Sequence, residues 1–475
     1  MIPTRHPASL RDPAGYLYES NGRLYRLIRP EFSGQYRQIL ESPWMLEQCS
    51  AGNIIEFRIL QASEASTCIG SESDGSLCLE HKTVNFPSYP YEWPLEMLAA
   101  AAAMTLDLCI SGKEFGYGLK DASPYNILFR GTHPVFIDIL SFEYRDQSNP
   151  IWLANGQFIR NFLIPLLLDS RKGLYCHNSS FLYRDGIEPN VAYRQINILE
   201  SLSPSFFNYV TAPVFLDSIA EHKPANVYST KNLKNTELVS YIIDSVFKKL
   251  LRASGKASKR RNFRSVWFNY NKSCTYSSTD MARKKDIVAQ LLRDRDPKRV
   301  LDVGCNVGVF SLIAAKHGAE VVAIDTDPIV VGSLWTLAHA EGVNVLPLVV
   351  NLARPSPALG WRNKETLSFI QRAEGYFDMV MMLAVIHHML VIDQIPLTEI
   401  IDQAYRLTTS CIIFEYVGPD DQQFKRLTRG RDSLYSWFNR NVFEDYISKK
   451  FDIANRFEYS TGSRCLYLCI KRHAI

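Results

Sequence analysis

Two glycines four residues apart, Gly304 and Gly308, follow an apolar run, Arg299 to Val303, and precede a stretch with helical spacing. With no side chain at these positions the backbone can turn sharply and approach a ligand, and a helix starting there offers unpaired N–H groups. Twenty-one residues after Gly304 a second apolar run ends at Asp325, whose carboxylate can accept hydrogen bonds from both hydroxyls of a ribose. Ligands of open α/β sheets sit at such carboxyl ends. A nicotinamide dinucleotide would need glycine at 306 and 309, and the chain has Asn306 and Val309 there. Further on, His387 and His388 follow another apolar run. A neutral imidazole could take a proton from a hydroxyl or ammonium nucleophile, or the pair could shape a strand–helix turn by hydrogen bonding. The sequence does not choose between these roles, or between the two histidines.

The elements that must hold these residues read as a βα alternation. Met281 to Leu292 places Ile287, Val288, Leu291 and Leu292 on one helical face, with Thr279 and Asp280 available as caps. Strands are predicted at Arg299–Val303, Glu320–Ile324, Val343–Val349, Phe377–Leu383 and Cys411–Tyr416, with further candidates near Phe451–Phe457 and Cys465–Ile470. Alternation of this kind requires a mostly parallel sheet covered on both faces, the α/β class.

The segment Leu301-Asp302-Val303-Gly304-Cys305-Asn306-Val307-Gly308 resembles motif I of class I methyltransferases, with Asn306 in place of the middle glycine. Val322 to Pro328 is similar to the second motif of that family, and Phe377 to His388 to the fourth, where substrate meets methyl donor. The resemblance implies a Rossmann-like domain of seven strands that binds S-adenosylmethionine, without a metal. Motif I would contribute Asp302, Gly304, Asn306 and Gly308, the glycines flanking the amino-acid moiety. Asp325 would bind the ribose, Asn351 would fall near the adenine, and His387 or His388 would be the base. A fragment from about Ser265 to Ile475 is expected to bind the donor by itself.

The N-terminal half is read as a separate α+β region. Asp121 and Asn126 are five apart, and Asp138 follows an apolar run, a spacing that resembles the catalytic loop and metal-binding aspartate of protein kinases. The first lysine in the chain is Lys82, only 39 residues before Asp121, no glycine-rich phosphate loop precedes it, and Leu140 stands where kinases carry glycine. A degenerate kinase-like scaffold that binds substrate, and does not hydrolyse ATP, is the expectation. Ser88 to Pro94 (SYPYEWP) reads as a packed loop entering an Ala-rich helix rather than as a sugar platform, and Phe158 to Leu168 is strongly apolar. Between Lys248 and Arg264 eight basic residues occur with no acidic one: Lys248, Lys249, Arg252, Lys256, Lys259, Arg260, Arg261 and Arg264. The predicted division is therefore 1–245, a basic linker at 246–278, and a methyltransferase domain at 279–475. Together, SYPYEWP, KDASPYN, FIDILSFE and the C-terminal motifs resemble a family of two-part bacterial methyltransferases with a member in rhizobial nodulation. That resemblance implies a small-molecule or glycan acceptor, such as a lipo-chitooligosaccharide intermediate.

Composition sets outer bounds. At 475 residues, 46% hydrophobic and 21% charged, the chain exceeds one core and has ordinary globular character. A formal net charge of +4 is too small to argue for a nucleic-acid partner, leaving the basic run as the sole support for an RNA methyltransferase. The ten cysteines are scattered without the spacing of a zinc site, which reads as reduced thiols in a cytoplasmic protein. The first fifteen residues hold Arg5, His6, Arg11 and Asp12 with no secretory signal, and the apolar run Met97 to Ile110 is interrupted by Asp107 and too short to span a bilayer. A cofactor-binding protein without catalysis remains the alternative to an enzyme, and the oligomeric state has no signature in the sequence.

Overall fold

The computed structural model describes residues 3–220, 232–260, 278–459 and 463–472. The chain divides into two units, Met1–Phe263 with Leu359–Thr366, and Arg264–Ala358 with Leu367–Ile475. In the first unit, strands β1 (Thr4–Arg5), β2 (Gly15–Ser20), β3 (Arg23–Ile28), β4 (Phe57–Ile59) and β5 (Leu77–His81) form an antiparallel sheet in the order β1-β2-β3-β5-β4. Asn21 and Gly22 join β2 to β3 with φ of 51° and 71°, the left-handed pair that a two-residue hairpin requires. One face of this sheet packs Tyr18, Tyr25, Leu27 and Cys78 against Leu60, Ala65 and Ile69.

After the sheet comes α1 (Leu95–Glu114), followed by two short hairpins: β6 (Tyr117–Leu119) with β9 (Phe142–Tyr144), and β7 (Ile127–Arg130) with β8 (His133–Phe136). At 20 residues α1 is longer than the run Met97 to Ile110 implied, and by length and composition it could cross a membrane. The correction to its length has a simple cause: Leu95 and the last turn through Glu114 extend the helix beyond the apolar run. Its apolar character is used within the unit, where Met97, Leu98, Ala101, Ala102 and Leu106 are all fully buried. Trp93 is buried too, its indole N–H donating to Ser88 Oγ at 3.0 Å, so SYPYEWP is packed into the start of this helix. Phe158, Phe162 and Leu166 are fully buried as well.

The basic run is not a linker over its first part. Lys248, Lys249, Arg252 and Lys256 lie on α2 (Thr236–Ala257), whose residues Val239, Ile243, Phe247, Leu250 and Ala257 are buried at helical spacing, and which packs on α1. Arg260 is drawn inward: its Nε donates to Asp169 Oδ1 at 2.9 Å and its Nη2 to Oδ2 at 3.2 Å. The charges seen in the sequence concealed an amphipathic helix beneath them. Arg261, Arg264 and the rest of the linker to residue 277 lie outside the described residues.

The second unit opens with α3 (Ser278–Arg295) and continues as β10 (Arg299–Val303), α4 (Val309–Lys316), β11 (Glu320–Asp325), α5 (Pro328–Glu341), β12 (Val345–Val349), β13 (Phe377–Met382), α6 (Ile386–Val391), β14 (Thr408–Val417), β15 (Phe451–Glu458) and β16 (Arg464–Lys471). The sheet order is β12-β11-β10-β13-β14-β16-β15, parallel except where β16 runs antiparallel to β14 and β15. The central strands read as continuous apolar runs because both sheet faces are covered. One covered face joins Val300, Val321, Ala323, Met379, Met381, Cys411 and Leu466 to Val288 and Leu291 of α3, Leu312 of α4 and Leu334 of α5. From β10 the chain builds outward through β11 and β12, then crosses to β13 on the other side. That reversal opens a crevice at the carboxyl ends of β10 and β13, where ligands of such sheets bind.

Candidate functional site

The turn after β10 is held by backbone bonds from Gly304 N and Cys305 N to Ile324 O, at 2.9 and 3.0 Å, which fasten it to the end of β11. Asn306 takes φ of 51° and its N–H donates to Asp325 Oδ2 at 2.9 Å, while its own side-chain oxygen accepts from Val307 N at 2.7 Å. The other carboxylate oxygen of Asp325 accepts from Asp327 N at 3.0 Å. Burial pushes the Asp325 carboxyl up against the pull of these backbone donors. Asp302, fully buried on β10, accepts from Ser311 Oγ at 2.6 Å, and burial raises its pKa to about 6. Asn351 closes a small turn of its own, with Oδ1 accepting from Ala353 N at 2.8 Å.

These residues surround one cavity of about 390 Å³, whose wall includes Asp302, Gly304, Asn306, Asp325, Asn351 and His388. Gly304 and Gly308 differ in place. Gly304 lines the cavity with φ of 71°, and a Cβ there would stand 3.2 Å from Val385 Cγ2. Gly308 is not in the cavity wall: it begins α4 at φ of 78°, and a Cβ would fall 2.1 Å from Leu334 Cδ1, inside the helix–helix packing.

The two histidines are also separated. His388 on α6 faces the cavity, and burial lowers its pKa to about 4, with Asp393 opposing the shift and Arg464 adding to it. His387 is not in the cavity wall: it is 1% exposed, stacked 6.3 Å from the Phe424 ring and tilted against the His388 ring at 4.4 Å, with neither ring nitrogen hydrogen-bonded. Burial drives its basicity far below the usual range, with His388, Arg464 and Lys284 adding to the shift. Both imidazoles are therefore neutral near pH 7.

Sequence reasoning passed over Ala384 and Lys284, which also line the cavity. Ala384 follows β13 at φ of 56°, a strained conformation for a residue with a side chain. Lys284 is 3% exposed and pairs with Glu415 on β14. Its signal was present: Lys284 stands one turn before Val288 on the apolar stripe of α3, where a lysine has no packing reason to be.

With this geometry the sheet and crevice define a class I methyltransferase arrangement, and residues 276–450 match the family of methyltransferase domains. The chain is an S-adenosylmethionine-dependent methyltransferase. It is 28% identical over 490 residues to the nodulation protein NoeA of Rhizobium meliloti (strain 1021), with 98% of this chain and 96% of that protein covered. Among solved structures, the N-methyltransferase NodS of Bradyrhizobium japonicum WM9 is similar at 13% identity, over 42% of this chain and 99% of NodS, with a TM-score of 0.32. The magnesium protoporphyrin IX methyltransferase ChlM of Synechocystis PCC 6803 is similar at 20% identity, over 41% of this chain and 84% of ChlM, with a TM-score of 0.29.

The two glycines should respond differently to alanine. At Gly304 the substitution adds mainly backbone strain, about 1–2 kcal/mol. At Gly308 it adds the same strain and forces the buried Leu334 side chain aside, about 1–3 kcal/mol more. Urea unfolding of the two variants should thus give a clearly lower midpoint for Gly308→Ala, and equal midpoints would show that the α4–α5 packing does not need this glycine.

Proposed function

We propose that the second unit transfers a methyl group to a glycan acceptor, a lipo-chitooligosaccharide intermediate of nodulation signalling, and that the cavity at the ends of β10, β11 and β13 holds the donor. The observation that carries the placement is the convergence of Asp302, Gly304, Asn306, Asp325 and Asn351 on that single cavity. When bound, the donor supplies a methyl carbon already activated by its sulfonium. Asp325, its carboxylate oriented by Asn306 and Asp327, accepts from the ribose hydroxyls. Gly304 lets the backbone approach the amino-acid moiety, Asp302 faces its ammonium, and Asn351 borders the adenine. His388 receives the acceptor's proton on a ring nitrogen, while His387 packs behind it. The full-length similarity to NoeA, a nodulation protein, supports the acceptor class.

A second reading concerns the first unit, which we infer to be a kinase-like scaffold without phosphotransfer. Asn126 Nδ2 donates to Ser141 Oγ at 3.3 Å, and Ser141 Oγ to Asp138 Oδ2 at 2.5 Å. The buried Arg26 guanidinium lies 3.4 Å from Asp138 Oδ1 and 3.2 Å from Asp12 Oδ2. A fixed cation thereby occupies the place beside Asp138 where phosphate transfer would require a metal. The full chain should not hydrolyse ATP, and magnesium-dependent phosphate release that disappears in Asp138→Ala would overturn this inference.

Removing the ribose acceptor should weaken the donor site. Losing hydrogen bonds to a charged group costs about 1.5–3 kcal/mol, so Asp325→Ala should lower S-adenosylhomocysteine affinity roughly ten- to a hundredfold in calorimetry. Equal binding by wild type and variant would remove Asp325 from the ribose.

Proton removal gives a different signature. With cell extract as acceptor source, His388→Ala should cut S-adenosylhomocysteine release by roughly a hundredfold or more, the scale of general base catalysis, with donor affinity changed only a few fold. Because His388 becomes protonated only near pH 4, its titration should not slow the wild type between pH 8 and pH 5. Undiminished release by His388→Ala would exclude it as the base, and no release by the wild type would favour a cofactor-binding protein.

A further inference from the structure

We propose that Lys284 recognises the α-carboxylate of the donor's amino-acid moiety and makes the site selective for a ligand that carries it. The inference rests on S-adenosylmethionine as donor. That molecule brings two cationic groups, the sulfonium and the ammonium, and one carboxylate. The described wall of the cavity contains three acidic side chains, Asp302, Asp325 and Asp393, and two basic ones besides His388, Lys284 and Arg354. Arg354 is 78% exposed and faces Asp393 at 3.3 Å, so water screens it. Lys284 is 3% exposed, and in that environment an opposite charge counts for much more. It is also close enough to Asp302 to favour that residue's ionised form. An amino-acid moiety placed beside Gly304 therefore meets a carboxylate for its ammonium and an ammonium for its carboxylate.

The surroundings of Lys284 support a recognition role over a packing role. Its Nζ donates to Glu415 and lies 4.9 Å from the centroid of the Phe310 ring, another part of the cavity wall. Glu415, fully buried, also accepts from Tyr459 Oη and lies 3.4 Å from Arg464 Nη1. Arg464 in turn donates from Nε to Asp421 Oδ2 at 2.7 Å and from Nη2 to Oδ1 at 3.0 Å. Two cations and two anions thus balance beneath the cavity. A buried ionic network of this kind is often no more stabilising than apolar residues of similar volume. Holding one ammonium at a fixed point on the cavity wall is a function that apolar residues could not supply.

The test uses the full chain and two ligands that share the adenosine thioether, S-adenosylhomocysteine and 5′-methylthioadenosine, the second lacking the amino and carboxyl groups. Wild type should bind the first much more tightly. In Lys284→Met the preference should fall roughly ten- to a hundredfold, through loss of S-adenosylhomocysteine affinity, while 5′-methylthioadenosine binding stays within about twofold. Lys284→Arg keeps the cation and should retain most of the preference. Because the two affinities are compared on the same protein, a partial loss of folded material lowers both capacities and leaves their ratio unmoved. If Lys284→Met does not fold, Lys284→Gln takes its place in the same comparison. An unchanged ratio in the neutral variant would overturn the proposal, whereas a wild type that binds neither ligand would instead contradict the placement of the donor in this cavity.

Discussion

The hydrogen bond from the Asn306 N–H to Asp325 Oδ2, at 2.9 Å, ties the turn after β10 to the end of β11, and the geometry of the cavity depends on it. Without it the carboxylate would keep only the bond from Asp327 N, and the turn only its backbone bonds from Gly304 N and Cys305 N to Ile324 O. It also explains why asparagine stands where motif I usually has a glycine. The position needs φ of 51°, which asparagine tolerates better than most residues, and its side chain then accepts from the next N–H instead of leaving that donor unpaired. The middle glycine is replaced by a residue that supplies the same backbone conformation and one additional bond.

A second constraint comes from burial. Asp302, Lys284, Glu415 and Arg464 are all at most 3% exposed, and such charges persist only where partners are fixed around them. Ser311 serves Asp302, while Glu415 and Asp421 serve the two cations. Ser311 lies only nine residues after Asp302, but Glu415 comes from β14 and Asp421 from the segment after it, far in sequence from α3. The parallel half of the sheet presents the loops of the proposed donor site, and β14 supplies Glu415, the buried partner of Lys284 on the cavity wall. This division gives the β14–β16 pairing a part in the buried charge network beside the cavity as well as in the fold.

Much of the second unit could be read from the sequence because its strands are short apolar runs and its donor-site candidates lie within a few residues of strand ends. Asp302, Gly304, Asn306, Asp325 and Asn351 needed only local reading to be brought to one cavity. What escaped was set by rotation and by distance along the chain. His387 and His388 are adjacent, but consecutive residues on a helix point about 100° apart, and only the second reaches the cavity. The packing role of Gly308 depends on Leu334, twenty-six residues later. Lys284 was on the stripe of α3 yet was passed over because the apolar residues around it were sufficient to establish the helix. In the first unit, Arg26 is eclipsed in sequence by the absence of an early lysine, and only the folded chain brings it to Asp138, 112 residues later.

The same dependence on distant residues decides what counts as a fair sample of this protein. Residues Leu359–Thr366 lie in sequence between β12 and β13 of the second unit but belong to the first. There Glu365, with its side chain 5% exposed, accepts from Arg11 Nε at 2.9 Å and from Trp361 N at 2.9 Å, and pairs with Arg184. A fragment beginning near Ser265 would carry Glu365 without Arg11 or Arg184, leaving a carboxylate stripped of both cations. The stretch Val350 to Arg354, which precedes this segment in sequence, is part of the cavity wall. Weak donor binding by such a fragment would therefore measure the loss of that anchor together with the affinity of the site. The full chain is the species in which cavity residues can be compared one against another, since there every variant keeps Glu365 with both of its cations.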